Sequence, residues 1–313
     1  MRFKRHFYSI VVIIKEVFKE FSADNIVKYS ASLAYYTVFS IAPLLVVITT
    51  LFGFLFGKNA MQGQVYQQLN KFVGSKAAIQ IQDIIMNIHL SKNSFFATVI
   101  SAIVLVIGAT SIFGEIQDSI NKIWGLRIKK RKVWWKLILT RLLSFSLILS
   151  IGIIMILTLI LNTAVAAFGK FIGKFIANYS IYFIQLADSI LSLIVLSILF
   201  ALVFKILPDA RIRWRDVLFG GFITAILFTL GKLGISFYVS KSNITSLYGA
   251  AGSIIILMVW VYYSSIILYL GAEFTKVFAK LYVENLLPNE YAEWIRTEKK
   301  TVAGPELKNE ELD

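Results

Sequence analysis

The stretch from Tyr29 to Gly57, YSASLAYYTVFSIAPLLVVITTLFGFLFG, carries no charge between Lys28 and Lys58. A bilayer core about 30 Å thick takes roughly 20 apolar residues in a helix, so this run crosses with residues to spare. At that depth every backbone polar group has to be satisfied within the protein, which restricts the chain to helices or a closed barrel. The run is not uniformly apolar. Ser32, Tyr36 and Ser40 recur every four residues and stack hydroxyls along one helix face. Pro43 lacks a donor and crowds the carbonyl of Phe39. That carbonyl then needs another helix, a hydroxyl or water. Such a helix suits the inside of a bundle, and Tyr36, Ser40 and Pro43 become candidates for lining or gating a path.

Five further apolar runs follow at about 93–114, 142–169, 182–204, 217–239 and 245–272. With a first span over about 33–57, the expected fold is an all-α integral membrane protein, a six-transmembrane-helix bundle occupying residues 29–287. The chain is 58% apolar with a mean hydropathy of +0.73, against roughly 45–50% apolar in soluble domains. Residues 1–28 read as a cytoplasmic amphipathic segment. Phe7, Ile10, Val11, Ile14, Val17, Phe18 and Phe21 follow one helical face, and Lys15 and Glu16 interrupt the run too early for a signal peptide. An interfacial helix is expected there. Between 58 and 92, two short amphipathic helices are expected on the outer face. Residues 288–313 form a polar tail.

Orientation follows from charge. Of the 32 Lys and Arg, six precede the first span, eight lie in 115–141, four in 205–215 and six follow the sixth span. The segments between hold far fewer, so both termini are expected in the cytoplasm. Cysteine is absent and only His6 and His89 occur. No disulfide framework, thiolate zinc site or cysteine nucleophile is possible, and no metal or cofactor is expected.

Four stretches resemble the YihY/BrkB family of bacterial inner-membrane proteins. They are SASLAYYTVFSIAPLL at 30–45, IFGEIQDSINKIWG at 112–125, LPDARIRWRDVLFGG at 207–221 and YGAAGSIIILMVWVYYSSIILYLGAEFT at 248–275. They occur in the family's order and cover most of residues 20–280. The resemblance implies six membrane helices and a bacterial cytoplasmic-membrane location, and says little about activity. Family members have carried the label ribonuclease BN. Two distant histidines cannot supply the clustered ligands of a metal-dependent nuclease.

Several ionisable residues are candidates for substrate binding or gating. Glu115, Asp118 and Lys122 share a helical face after the second span, with Asn121 beside them. Glu273 closes the sixth span. Arg141, Arg211, Arg213 and Arg215 lie at the same level and could pair with these acids, either as an interfacial ion-pair network or as a vestibule for a charged head group. Asp209 belongs to the third family-like stretch. Asp188 and Lys232 lie inside the fourth and fifth spans at about the same depth, which allows either an intramembrane pair or a snorkelling lysine. Trp260 sits deep in the sixth span, where its N–H needs a partner.

The segment Arg127, Lys129, Lys130, Arg131, Lys132, Trp134 and Trp135 combines cations with aromatics. Its position between spans favours anionic lipid head groups over nucleic acid. Gly220, Gly221, Thr224, Gly231 and Gly234 in the fifth span, and Gly249, Gly252 and Ser253 in the sixth, suit close helix contact.

The leading expectation is transport or gated binding of a lipid or amphipathic substrate, with membrane lipids as partners. A non-catalytic envelope or scaffold protein is the alternative, and a membrane-embedded lipid-modifying enzyme the third. No nucleotide-binding loop is present to drive transport. Substrate, coupling ion and oligomeric state, a homo-oligomer included, stay open.

Overall fold

The computed structural model describes residues 2–40, 79, 111–129, 180–241, 251–282, 287–290 and 292–295. It also describes positions 142, 146, 150, 153, 154, 157, 158, 160, 161 and 163. The chain is mostly helical. Helix α1 spans Arg2–Ala23. After a turn at Asn25, whose φ of 53° is left-handed, residues 26–40 form α2 and residues 111–123 form α3. Helix α4 is Ser180–Ile206, α5 Trp214–Lys241 and α6 Ala251–Tyr282.

Three of these helices are long and apolar enough to cross a membrane: Gln185–Ile206 in α4, Trp214–Val239 in α5 and Ile254–Lys280 in α6. Their ends are chosen to suit the helix dipole. Asp216 lies in the first turn of α5, and Lys205, Lys241 and Lys280 close α4, α5 and α6. Along α4, Leu186, Ile190, Ile194 and Ile198 recur every four residues and are all exposed. In water such a stripe would invite association; against acyl chains it is the outer surface of a span. Most of the expected second and third spans, and the expected outer helices except residue 79, lie outside the described residues.

Helix α4 packs on α5, α5 on α6, and α1 on α6. The α5–α6 contact is reciprocal: a side chain at Gly220 would meet Thr275, and one at Gly271 would meet Thr224. Each helix thus seats its threonine over the other's glycine, which brings the backbones close in the manner of small-residue membrane interfaces. Both threonines also donate back to their own helix, Thr224 to the Gly220 carbonyl and Thr275 to the Gly271 carbonyl, each at 2.7 Å.

The buried core gathers at one end of this assembly. Ile26 and Leu33 of α2, Ile120, Ile123 and Trp124 at the end of α3, Phe204 of α4, Val217 of α5 and Tyr269 and Ala272 of α6 form one cluster. The same end carries two short antiparallel ladders. Strand β1 (Leu126–Ile128) pairs with β4 (Ala292–Trp294), and β2 (Ala210–Arg211) with β3 (Leu287–Pro288). Part of the segment read as a polar tail therefore folds back onto the helical connections.

Helix α1 departs in detail from its expected face. Ile13 and Val17 are buried against Val277, whereas Ile14 and Phe18 point away from the protein. The edge that touches α6 and the broad apolar surface of the helix are thus separate.

Candidate functional site

Two residues of α6 separated by one turn, Glu273 and Lys276, are almost wholly buried, at 0% and 5% exposure. Charges at such depth persist only when paired. Spacing of three on one helix brings them together, and Nζ lies 3.1 Å from Glu273 Oε1. Helix α1 supplies the remaining anions. Glu20 and Asp24 are four apart at its end, so they project on one side; Nζ contacts the Glu20 carboxylate and lies 3.1 Å from Asp24 Oδ2. Helix α3 completes the enclosure, because Nζ donates to the Ile123 carbonyl at 2.7 Å. Gly125, at φ 71°, ends α3 in the left-handed conformation that glycine tolerates. The last carbonyls of α3 are thereby presented to a cation, which they favour electrostatically.

This node joins three helices through one ammonium. The carboxylate oxygens of Glu20, Asp24 and Glu273 lie within 4.8 Å of one another. Partial burial works against ionisation of Glu20. A hydrogen bond with Glu273 and the nearby ammonium of Lys276 outweigh it, holding the Glu20 carboxyl at about 2 against an ordinary 4.5. The more exposed Lys280 stands 3.9 Å from Glu20 Oε1.

Beside the node, a second polar clasp ties α3 to the α4–α5 connection. Asn121 donates to Asp209 Oδ2 and accepts from the Asp209 backbone N–H, both at 2.8 Å. Gln117 donates to the Leu207 carbonyl at 2.8 Å, and the Asn289 N–H donates to the Asp209 carbonyl at 2.8 Å. Trp124, fully buried, donates its indole N–H to the Ala272 carbonyl at 3.2 Å. All of these residues are buried or backbone-paired, so the connections after α3, α4 and α6 are knitted into one unit.

The sequence candidates distribute unevenly over this geometry. Asn121 and Asp209 meet directly. Glu273 is central, but its cation is Lys276, while Arg211 pairs with Glu290 at 3.6 Å and Arg213 with Asp216 at 3.0 Å. Asp118 pairs with Lys122 at 2.5 Å on the exposed side of α3, and this bond raises the Lys122 ammonium above its usual range despite some burial. Glu115 is half-buried on the same helix.

In α2, Ser40 is buried and Tyr36 exposed, so the expected stack of hydroxyls does not share one environment. Ser30, fully buried, donates to the Ile26 carbonyl instead. Asp188 in α4 and Lys232 in α5 are both half-buried. Trp260 packs edge-on against Phe228, with ring centroids 6.0 Å apart. Its indole N–H and the Tyr263 hydroxyl are buried without a hydrogen-bond partner among the described residues. Arg127 and Lys129 lie on and beside β1. Pro43, Arg141, Lys130, Arg131, Lys132, Trp134 and Trp135 lie outside the described residues.

Sequence reasoning missed Lys276, Glu20 and Asp24. The available signal was their spacing: an acid and a lysine three apart in an apolar helix, and two acids four apart at the end of an amphipathic one.

Residues 17–293 match the model of a family described as Virulence factor BrkB. The chain is 30% identical to a UPF0761 membrane protein from Psychromonas ingrahamii, over 88% of this chain and 91% of that protein. A UPF0761 membrane protein from Tolumonas auensis is 28% identical over 80% of each chain. One from Saccharophagus degradans is 26% identical over 84% of this chain, which spans 59% of that relative. No solved structure matches the chain.

Proposed function

The chain belongs to the Virulence factor BrkB family of membrane proteins, and on that premise we propose that it moves, or binds in a gated manner, a lipid or other amphipathic substrate at the bacterial cytoplasmic membrane. The observation that carries this reading is the Lys276 node. Ionisable groups buried in a span are costly and mark functional paths by default. Here they hold an amphipathic helix, α1, against the end of an apolar one. A latch of that kind lets α1 act as a gate at the inner mouth of a six-span bundle, the end that the positive charge of the loops assigns to the cytoplasm.

No chemistry is invoked. The cluster of three carboxylates encloses an ammonium where a metal ion would have to sit. A second reading, a non-catalytic scaffold, draws support from the Gly–Thr seating of α5 on α6, which closes that interface to any passage.

Reconstitution separates the two. Full-length protein in vesicles containing a trace of fluorescent phospholipid is expected to accelerate exchange between leaflets at least tenfold over protein-free vesicles. Exchange at the protein-free rate would remove the transport reading and leave the scaffold.

A further inference from the structure

The two ladders line an open cavity of about 720 Å³, to which none of the charged residues of the Lys276 node contributes. Its wall carries Arg127, Lys129 and Arg211 against Glu290 and Glu293, with Trp294 alongside. Sites for small ligands commonly measure about 300–1,000 Å³, so there is room for a head group.

The charges already form pairs. Arg127 Nε lies 2.8 Å from Glu293 Oε1, Arg211 stands 3.6 Å from Glu290, and Lys129 donates to the Glu290 carbonyl at 3.1 Å. The side chains in these ion pairs are 42% to 70% exposed. Pairs as exposed as this contribute about 0–1 kcal/mol, so a ligand offering better partners can replace them. The pattern specifies what those partners are. Two guanidiniums and an ammonium, one cation in excess, suit the forked oxygens of a phosphate. Two carboxylates among them suit a primary ammonium within a few bonds of that phosphate. A wholly anionic ligand would leave the carboxylates facing it, which is repulsive.

The ladder register holds the two signs at fixed separation. Arg127 and Glu293 are direct partners across β1 and β4. Arg211 is opposite Leu287 across β2 and β3, within reach of Glu290 in the following turn.

We infer that this cavity binds an amine-bearing phosphate ester, the phosphate taken by Arg127, Lys129 and Arg211 and the amine by Glu290 and Glu293. The ligand is a phosphoethanolamine-type group. Its source as a lipid head group, in place of a soluble phosphoamine, rests on the function proposed above. Exposed Leu287, Trp294 and Ile295 nearby suit the acyl side of such a lipid.

The test is binding to purified full-length protein in detergent. The probes are dihexanoylphosphatidylethanolamine, dihexanoylphosphatidylglycerol, free phosphoethanolamine and inorganic phosphate. Wild type is expected to bind the amine-bearing lipid at least tenfold more tightly than the glycerol lipid or phosphate. The Arg127→Gln/Arg211→Gln variant loses at least tenfold towards both amine-bearing probes. Glu290→Gln/Glu293→Gln loses the preference for amine, so the two lipids bind equally. All four side chains lie outside the spans, and each variant serves as the folding control for the other.

Equal binding of the two lipids by wild type, or an amine preference that survives loss of both carboxylates, overturns the assignment. Free phosphoethanolamine binding as tightly as the lipid supports the head-group chemistry and counts against the lipid substrate. Leaflet exchange that continues unchanged in both variants, with no amine preference, does the reverse.

Discussion

Lys276→Met is expected to lower the thermal unfolding midpoint of the detergent-solubilised protein by of the order of 10 °C, and to cut the yield of folded material sharply. Breaking a buried ion pair by removing one partner costs about 3–5 kcal/mol, and a domain of this size shifts by roughly 2–4 °C per kcal/mol. Here one ammonium faces three carboxylates, one of them with no exposed surface. Removing it leaves the acids facing one another and also strips the Ile123 carbonyl of its donor. Glu273→Gln is the informative contrast. It keeps the shape, an acceptor for Lys276 and a donor for Glu20, replacing a carboxyl that shares its proton with the ionised Glu20, so its effect is expected within about 1 kcal/mol. The double variant Lys276→Met/Glu20→Gln, which removes an ionised carboxylate together with the ammonium it contacts, should recover part of the loss. Equal destabilisation by the two single substitutions would show that packing, not charge, holds this junction.

The second large effect is expected at Gly221. A Cβ there would lie 2.5 Å from the Ser197 carbonyl oxygen and 2.7 Å from the Ala201 nitrogen. Both are backbone atoms of α4 and cannot swing aside as a flexible side chain could. Gly221→Val therefore has to push α4 and α5 apart. Overpacking costs about 1–3 kcal/mol or more, and in a membrane the lost close contact is itself the main force joining two helices. Gly234, on the same helix, has nothing within 4 Å of its Cβ position. Gly234→Ala is expected to be neutral or to stabilise by up to about 1 kcal/mol through helix propensity. Thermal aggregation followed by size exclusion reads both. A Gly221→Val protein as stable as Gly234→Ala would mean that α4 and α5 do not pack as described.

These two sites also show what the sequence could and could not say. The small residues of the fifth span were visible as a group, because glycine is conspicuous in a long apolar run. Which of them face a neighbour was not visible. Gly220 and Gly221 are used and Gly234 is not, and that depends on the rotation of α5 about its axis, which only the partner helices set. Thr275 and Gly271 were passed over because neither stands out in composition.

Glu273 was legible as a charge at the end of a span. Its partner was not, because the uncharged apolar run stops at Ala272, while α6 continues to Tyr282. By composition alone Lys276 belongs with the loop cations that follow the span. Asn121 and Asp209 stood in separate family-like stretches, 88 residues apart, and no spacing rule connects them. The ladders were invisible for a different reason. Strands of two or three residues are too short to show the alternation by which strands are recognised, and backbone pairing at the end of the bundle, rather than side-chain pattern, defines them. Helices α4, α5 and α6 were the most legible part, since length and apolarity suffice to mark a candidate span.

The most direct test of a gate at α1 exploits the absence of cysteine from the chain. Val17 and Val277 pack in one cluster between α1 and α6, so a Val17→Cys/Val277→Cys variant carries the only two thiols in the protein. Oxidation locks the helix in its docked position, and reduction frees it without altering the sequence. The quantity measured is leaflet exchange of fluorescent phospholipid in vesicles holding this variant, before and after reductant. Exchange at the protein-free rate when locked, returning to the wild-type rate on reduction, is the result predicted. Equal acceleration in the locked and freed states would contradict a gate formed by α1 and leave the Lys276 node as a structural fastening alone.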